Sequence, residues 1–590
     1  MPHVVGIDLG TTNCAIAWRD LEDGSGDLIS IPQLTAPGTV EERALLPSFI
    51  YLANEGEFPP GALALPWDTR PDYAAGEFAR AHGAKVSQRL VASAKSWLSH
   101  TGIDRTAAFL PWQAPPEVER ISPVEAAARY LKHLAGAWKT SRKTDIESEE
   151  IVLTVPASFD AAARDLTMQA ANHAGLRNLT LLEEPQAALY AWLEKSGDGF
   201  RKRVKVGDVI LVVDVGGGTT DFSLIGVTEL DGDLRLTRLA VGDHILLGGD
   251  NMDLTLAHHL AQDKNLDAWQ FAALTYGCRE AKERLFADPK LKKAPISIPS
   301  RGSALMGGTI KAELTRDDLA RILVDGFIPR IGVAELPRTA RRTGLTQMGL
   351  PYAQDPGITR HLAAFLTRQA RIAEGKAFVH PTAILFNGGV FKATVLKRRV
   401  IEVINEWLSQ DGGSPVRELE GGDLDLAVAR GAAHYAWVRH GHGIRIRGGT
   451  ARAYYVGVEP AMPSVPGFEP PVKALCVAPF GMEEGTNADV PSQEFALVVG
   501  EPTVFRFFAS SVRREDRVGD MIDDAARNDE FEEVAPIETT LSGESGKLVP
   551  VNLQAAVTEV GTLELRCLEK AGAGRWKLEM NVRIREGERE

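Results

Sequence analysis

Residues 4–17, VVGIDLGTTNCAIA, and residues 210–225, ILVVDVGGGTTDFSLI, share one pattern: an apolar run ending in an aspartate, a turn of glycine and threonine, and a second apolar run. Each predicts two antiparallel strands joined by a tight turn, and the repetition predicts two related halves of one unit. Turns without Cβ atoms let backbone N–H groups approach a phosphate closely, and threonine hydroxyls add donors. Opposed across a cleft, the turns Gly10-Thr11-Thr12 and Gly216-Gly217-Gly218-Thr219-Thr220 would clamp a triphosphate, with Asp8 and Asp214 placed to hold magnesium directly or through its waters. One glycine turn between strands has an ordinary steric explanation, whereas two matched ones in a single chain are far more specific.

Around these hairpins, strand and helix patterns alternate, as in a strand over 151–155 followed by a helix over 160–174 that Gly175 ends. That is the texture of an α/β unit. A helix over 426–438 closes the region, and Gly441, His442 and Gly443 break it. Beyond it come short alternating runs over 495–499, 503–508, 551–557, 563–567 and 576–584, separated by glycine, proline and acidic turns. In the last of these, Trp576, Leu578, Met580, Val582 and Ile584 share one face, which predicts an antiparallel β-domain of the sandwich type. The chain therefore divides into an α/β part over 1–443, a linker over 444–453 and a β-rich part over 454–590.

The 590 residues are too many for one core, and a composition of 44% hydrophobic and 25% charged residues is that of an ordinary globular protein. A net charge of −13 argues against nucleic acid as a partner, because binding the phosphate backbone needs a basic surface. Cys14, Cys278, Cys476 and Cys567 lie far apart without CxxC spacing, so reduced thiols are expected and neither a disulfide framework nor a zinc site. No basic leader precedes the first strand and no uninterrupted apolar run approaches about 18 residues, which places the chain in the cytoplasm and away from the membrane.

A third glycine turn lies in LFNGGVFK at residues 385–392, where an apolar strand reaches Gly388 and Gly389 before a helix begins. Alone it is a strand-to-helix turn; beside the other two it suits the adenosine side of a nucleotide cleft. GIDLGTTN, TVPASFDAAAR, EEPQAA, VDVGGGTTD, LGGDNMD, FNGGVFK and DLDLAVARGAA follow one another in the order found in the ATPase domain of 70-kDa heat-shock chaperones, and the chain resembles that family over roughly residues 1–440. The resemblance implies an α/β actin-like two-lobed ATPase domain followed by an all-β sandwich-like C-terminal domain, with ATP or ADP and magnesium at the base of the cleft and room for potassium.

Carried onto this chain, the family pattern makes Asp8, Asp214 and Asp221 the carboxylates around magnesium and its waters. Gly10, Thr11, Thr12 and Asn13 form the first phosphate turn, and Gly216, Gly217, Gly218 and Thr219 the second. Gly248, Gly249, Lys282, Gly388, Gly389, Lys392 and Asp425 complete the nucleotide contacts. Lys95 in SAKSWL takes the place of the lysine that neutralises the transferring phosphoryl group, and Glu184 that of the carboxylate that senses nucleotide state. With Asp214 and Thr219 these are the catalytic candidates, while Pro156 and Arg164 resemble the switch pair that relays nucleotide state to the lobe surface. Without the resemblance, a lone helix lysine reads as a solvated charge and Glu184 as an acidic turn residue before Pro185.

Departures from the pattern bear on affinity and coupling. Where the family's adenine helix offers a Glu and an Arg, CREAKERL here has Arg279 and Glu283, with only Lys282 retained, and the adenosine turn has Val390 and Lys392 in place of a Ser and an Arg. A stacked guanidinium and an ammonium are not equivalent, so weaker nucleotide retention is expected. Residues 329–355 have no counterpart in the family pattern. The linker IRIRGG over 444–449 is basic where the family's is acidic and leucine-rich, and about 20 residues follow the last hairpin region, so the family's helical lid is expected to be absent. VTEVGTLELRC and LVVGEPTVFRFF resemble strand pairs of the family's peptide-binding sandwich.

Three functions fit this reading. The first is an ATP-driven chaperone that binds unfolded or extended polypeptide segments, with co-chaperones of the J-domain and nucleotide-exchange types implied. The second is an actin-like scaffold or filament governed by nucleotide, and the third a small-molecule kinase on the same superfold.

Overall fold

The computed structural model describes residues 3–100, 102–230, 233–299, 309–338, 349–370, 375–442, 446–447, 450, 452–459, 472–482, 486–491, 495–510, 513, 515–523, 528, 530–558, 562–572 and 574–581. Two compact units are formed, one by Met1–Leu236 with Ala240–Arg445 and the other by Thr237–Leu239 with Ile446–Glu590.

In the first unit, the strands His3–Leu9 and Asn13–Asp20 form the first hairpin. Val4, Val5, Ile7, Ala15 and Ile16 are all buried, as expected of strands covered on both faces. Glu150–Val155 pairs in parallel with His3–Leu9, and Leu179–Glu183 in parallel with Glu150–Val155. The second hairpin, Val209–Val215 with Thr220–Leu230, repeats the arrangement: Ala383–Asn387 pairs in parallel with its first strand, and Arg417–Glu418 in parallel with that. The repeat extends to the register, since Asp8 stands beside Thr154 and Asp214 beside Asn387. It is the internal duplication expected from the two motifs, carried two strands further than the motifs themselves reach.

The predicted helix over 160–174 is Ala161–His173, with Asp160 accepting the N–H of Ala163 as its cap. Helix Ala427–Arg439 covers the first sheet and crosses Glu184–Ser196 at Gly431. A Cβ at Gly431 would lie 1.7 Å from the Ala187 carbonyl oxygen and 2.9 Å from the Ala191 nitrogen, so only glycine permits this approach. Gly431→Ala is expected to cost roughly 1–3 kcal/mol, because the atoms it meets are backbone and cannot rotate away. Urea unfolding followed by circular dichroism measures it, and an unchanged midpoint would remove this crossing from the account of stability.

The second unit holds two antiparallel five-stranded sheets. One runs Met521–Ile522, Lys473–Ala478, Ala453–Val458, Pro502–Ser510, Glu532–Thr540. In the other, Thr486–Asp489 and Phe495–Val499 both pair with Lys547–Val557, which is followed by Thr562–Glu569 and Arg575–Asn581. Val456, Leu475 and Phe507 of the first sheet share one core with Leu497, Val551 and Leu565 of the second, which gives the expected sandwich. The strand predicted over 551–557 starts earlier, at Lys547, and runs through Pro550. Pairing with Thr562–Glu569 begins only at Val551, so the missing N–H of Pro550 costs that side nothing. Val582 and Ile584, and Ile444 of the linker, lie outside the described residues.

Candidate functional site

The two glycine turns meet. A Cβ on Gly217 would fall 1.8 Å from Thr12 Oγ1, and one on Gly218 2.7 Å from Thr11 Cγ2 and 3.4 Å from Ser96 Oγ. Thus Thr11, Thr12, Gly217 and Gly218 face one another, beside the short helix Ala94–Leu98 that carries Lys95. Ser48 braces the first turn, with its hydroxyl donating to the Gly10 carbonyl at 2.7 Å and its N–H to that of Thr12 at 2.9 Å. Asn13 opens the returning strand opposite Pro47. In the second turn the Gly216 N–H donates to the Thr219 carbonyl at 2.9 Å. Helix Gly249–Ala261 starts against this turn, with the N–H groups of Gly249 and Asp250 donating to the carbonyls of Gly216 and Gly217 at 3.0 and 2.7 Å.

Behind the turns lies a cluster of charge. Lys95 is buried and paired with Glu184, the first residue of its helix. Thr154 Oγ1 donates to Asp8 Oδ1 at 3.4 Å, and in the equivalent place Asn387 Nδ2 donates to Asp214 Oδ2 at 2.7 Å. Burial, and then the charge of Glu184, push the Asp8 carboxyl up to about 7 against the pull of Lys95. Burial and Glu184 likewise raise Asp214 well above the usual carboxylate range, with Asp221 and Asp8 adding to it. Burial works against the charge on Lys95, but Glu184 and Asp8 outweigh it and hold the ammonium above its ordinary range.

Glu184 and Asp8 thus act on one buried lysine, and the charges of Glu184, Asp221 and Asp8 act on Asp214. Burial favours protons on Asp8 and Asp214 that a bound cation would displace, and Thr12 Oγ1 and Asn387 Oδ1 are buried without hydrogen-bond partners. Among the described residues no group of three or more ligating side chains converges to hold a metal alone. The arrangement suits a hard cation that keeps waters and shares phosphate oxygens, as magnesium does.

The third turn closes on the same point. A Cβ on Gly388, whose φ is +86°, would lie 2.7 Å from Asp214 Oδ1, and one on Gly389 3.6 Å from Asp425 Oδ1. A Cβ on Gly249 would lie 3.5 Å from Val390 Cγ2 and 3.7 Å from Lys282 Nζ. Lys282 pairs with Asp253 at 2.6 Å and donates to the Gly249 carbonyl at 3.3 Å. Arg279 is held between Asp250 and Asp253, and Lys392 pairs with Asp425 at the exposed rim. All three cations are thus engaged by neighbouring carboxylates.

Arg164 is buried and binds Glu183 at 3.0 Å and the carbonyls of Phe159 and Ala157 at 3.1 and 3.3 Å, which pins the loop containing Pro156. Sequence reasoning named Arg164 but missed Glu183, Thr154, Ser158, His244 and Asn387. Thr154, Ser158, Glu183 and Asn387 stand inside the motifs, and His244 stands four residues before Gly248, yet none had a signal apart from its neighbours.

The result is a mixed α/β unit built on two matched hairpins, whose glycine turns face one another beside buried carboxylates and one lysine. The Hsp70 protein family matches residues 4–332, more than half of the chain, and the chain belongs to that family. Among curated relatives, it is 32% identical over 288 residues to a chaperone protein HscA homolog of Shewanella sediminis, covering 45% of this chain and 39% of that protein. It is 30% identical over 346 residues to an HscA homolog of Bordetella pertussis, covering 55% and 48% respectively. Chaperone protein HscA of an Enterobacter species is 30% identical over 287 residues. The chain spans about two fifths to one half of the length of these relatives. Among the described residues no helix is long and apolar enough to cross a membrane.

Proposed function

We propose that this protein is an ATP-dependent chaperone that hydrolyses ATP in an actin-like two-lobed cleft and couples nucleotide state to the binding of extended polypeptide segments. The observation that carries it is the convergence of Thr11, Thr12, Gly217 and Gly218 beside Lys95, Glu184, Asp8 and Asp214. The backbone N–H groups and threonine hydroxyls of the two turns hold the phosphates, and Gly249, Lys282 and Gly389 flank the nucleoside. Lys95 neutralises charge that builds on the γ-phosphoryl group during in-line attack by water, and the carboxylates orient that water. Magnesium held by Asp8, Asp214 and Asp221 through its waters would screen the phosphates.

In this reading residues 1–443 bind nucleotide, 444–453 link, and 454–590 bind polypeptide at the sandwich by backbone pairing and shallow apolar contacts. J-domain and nucleotide-exchange co-chaperones are its proposed partners. The test is turnover of Mg·ATP by the full chain, alone, with a reduced unfolded polypeptide, and with sugars. Slow basal turnover that rises with polypeptide supports a chaperone. Phosphate transfer to a sugar would establish a kinase instead, and absence of hydrolysis in every arm would remove the ATPase reading.

A further inference from the structure

Ser158 and His244 join the two halves of the cleft at Asp221. Ser158 lies in the loop that follows strand Glu150–Val155 of the first sheet, and Asp221 is the second residue of strand Thr220–Leu230 in the second hairpin. Ser158 Oγ bonds Asp221 Oδ1 and stands 2.7 Å from His244 Nδ1, while His244 Nδ1 itself is 3.6 Å from Asp221 Oδ1. A hydroxyl has one proton. If Ser158 gives it to the carboxylate, Nδ1–H of His244 must donate to the serine oxygen, and the neutral imidazole then carries its lone pair at Nε2. The His244 side chain is only 9% exposed, and its Nε2 is buried without a hydrogen-bond partner. The chain His244 Nδ1–H to Ser158 O–H to Asp221 Oδ1 therefore occupies one carboxylate oxygen and leaves Oδ2 for a ligand of the cleft.

The next residue ties this chain to the lysine. The ring of Phe159 packs edge to face on His244 at 5.6 Å, and Lys95 Nζ lies 5.9 Å from its centroid. The Phe159 carbonyl is one of those that Arg164 holds. Loop residues 158 and 159 therefore touch Asp221, His244 and Lys95 at once, and the buried Arg164–Glu183 pair fixes their backbone.

Resting on the ATP-binding reading above, we propose that Ser158 and His244 are positioning residues that orient the Asp221 carboxylate toward the hydrated metal of the bound nucleotide. His244 acts through Ser158 and touches no substrate. Partners that hold a carboxylate near a metal typically change metal affinity or activity by about 10- to 100-fold when removed.

The experiment titrates magnesium into the full chain at saturating ATP. It reads turnover and, separately, the nucleotide-dependent change in tryptophan fluorescence, to which Trp97 of the Lys95 helix contributes. Ser158→Ala is expected to raise the half-saturating magnesium concentration about tenfold in both readouts, with nucleotide binding in chelator unchanged. Ser158→Thr keeps the hydroxyl and should restore wild-type values to within about threefold, and His244→Ala should shift the magnesium dependence in the same direction as Ser158→Ala. A role confined to stability would lower the melting temperature of Ser158→Ala and Ser158→Thr without moving the magnesium dependence, and that result overturns the proposal. So does a Ser158→Ala titration that overlays wild type. If wild type itself shows no Mg·ATP response, the ATP-binding reading fails first, which separates the two.

Discussion

Lys95→Ala is expected to lower ATP turnover by roughly 100- to 1,000-fold while ADP affinity changes by less than about threefold. In the reading proposed above, the buried ammonium, held by Glu184, is a preorganised positive charge for the bound phosphates, and such groups act mainly on charge that develops in the transition state. In that same reading, ground-state binding rests instead on the two glycine-threonine turns and on the third turn near Lys282, and among the described residues Lys95 makes no hydrogen bond to them. Removing the lysine also leaves Glu184 without its partner and removes the pull that opposes burial at Asp8, so the Asp8 carboxyl is pushed further up. Single-turnover hydrolysis and calorimetric ADP titration of the same variant separate the two effects. Turnover within a factor of about three of wild type would show that Lys95 is not the charge-neutralising group, because a preorganised donor of this kind is worth far more.

The hairpins were legible because their chemistry is local. Aspartate at a strand end and glycine in the turn leave a signature wherever the strand later sits, and the duplication of that signature exposed the duplicated fold. What Thr154 and Asn387 do was not legible, since each meets its aspartate through a parallel partner strand more than a hundred residues away. Parallel pairing leaves no turn between partners, so the sequence holds no marker of the register. Ser158 and His244 were hidden for the same reason. A serine after a proline strand and a histidine before a glycine pair each have ordinary explanations until the fold sets them against one carboxylate.

The altered adenine side shows a different limit. Comparison with the family pattern located Arg279, Lys282 and Lys392 but could not say whether their charges are available. The structure pairs them with Asp250, Asp253 and Asp425. A guanidinium held by two carboxylates at the start of the Gly249 helix braces that helix against its neighbour, and that bracing differs from stacking on a base. In the sandwich, alternation along the strands was visible because every second residue is buried, as in Lys547–Val557. The start of that strand was not, because Pro550 reads as a breaker until its one-sided pairing is known.

The buried carboxylates also make the ligand-free protein sensitive to pH, and the sign is fixed by Asp8. Burial and Glu184 raise its folded pKa from 3.8 to about 7. Between those two values the folded state keeps a proton that the unfolded state has released, so the stability contributed by protonated Asp8 is complete below pH 3.8 and is lost as pH rises through about 7. A shift of about three units corresponds to a penalty on the order of 4 kcal/mol above neutral pH. Asp214, raised by the same causes, adds to it in the same direction. Asp8→Asn copies the protonated shape and cannot ionise. In chelator, its stability relative to wild type should therefore grow by roughly 2–3 kcal/mol from pH 5 to pH 8, as urea unfolding would measure. Adding Mg·ADP should reverse the trend in wild type alone, because a bound cation favours the ionised carboxylate and its stabilisation rises with pH. A difference between variant and wild type that stays flat across this range would mean that Asp8 is ionised throughout, and that the cleft tolerates its negative charge without a cation.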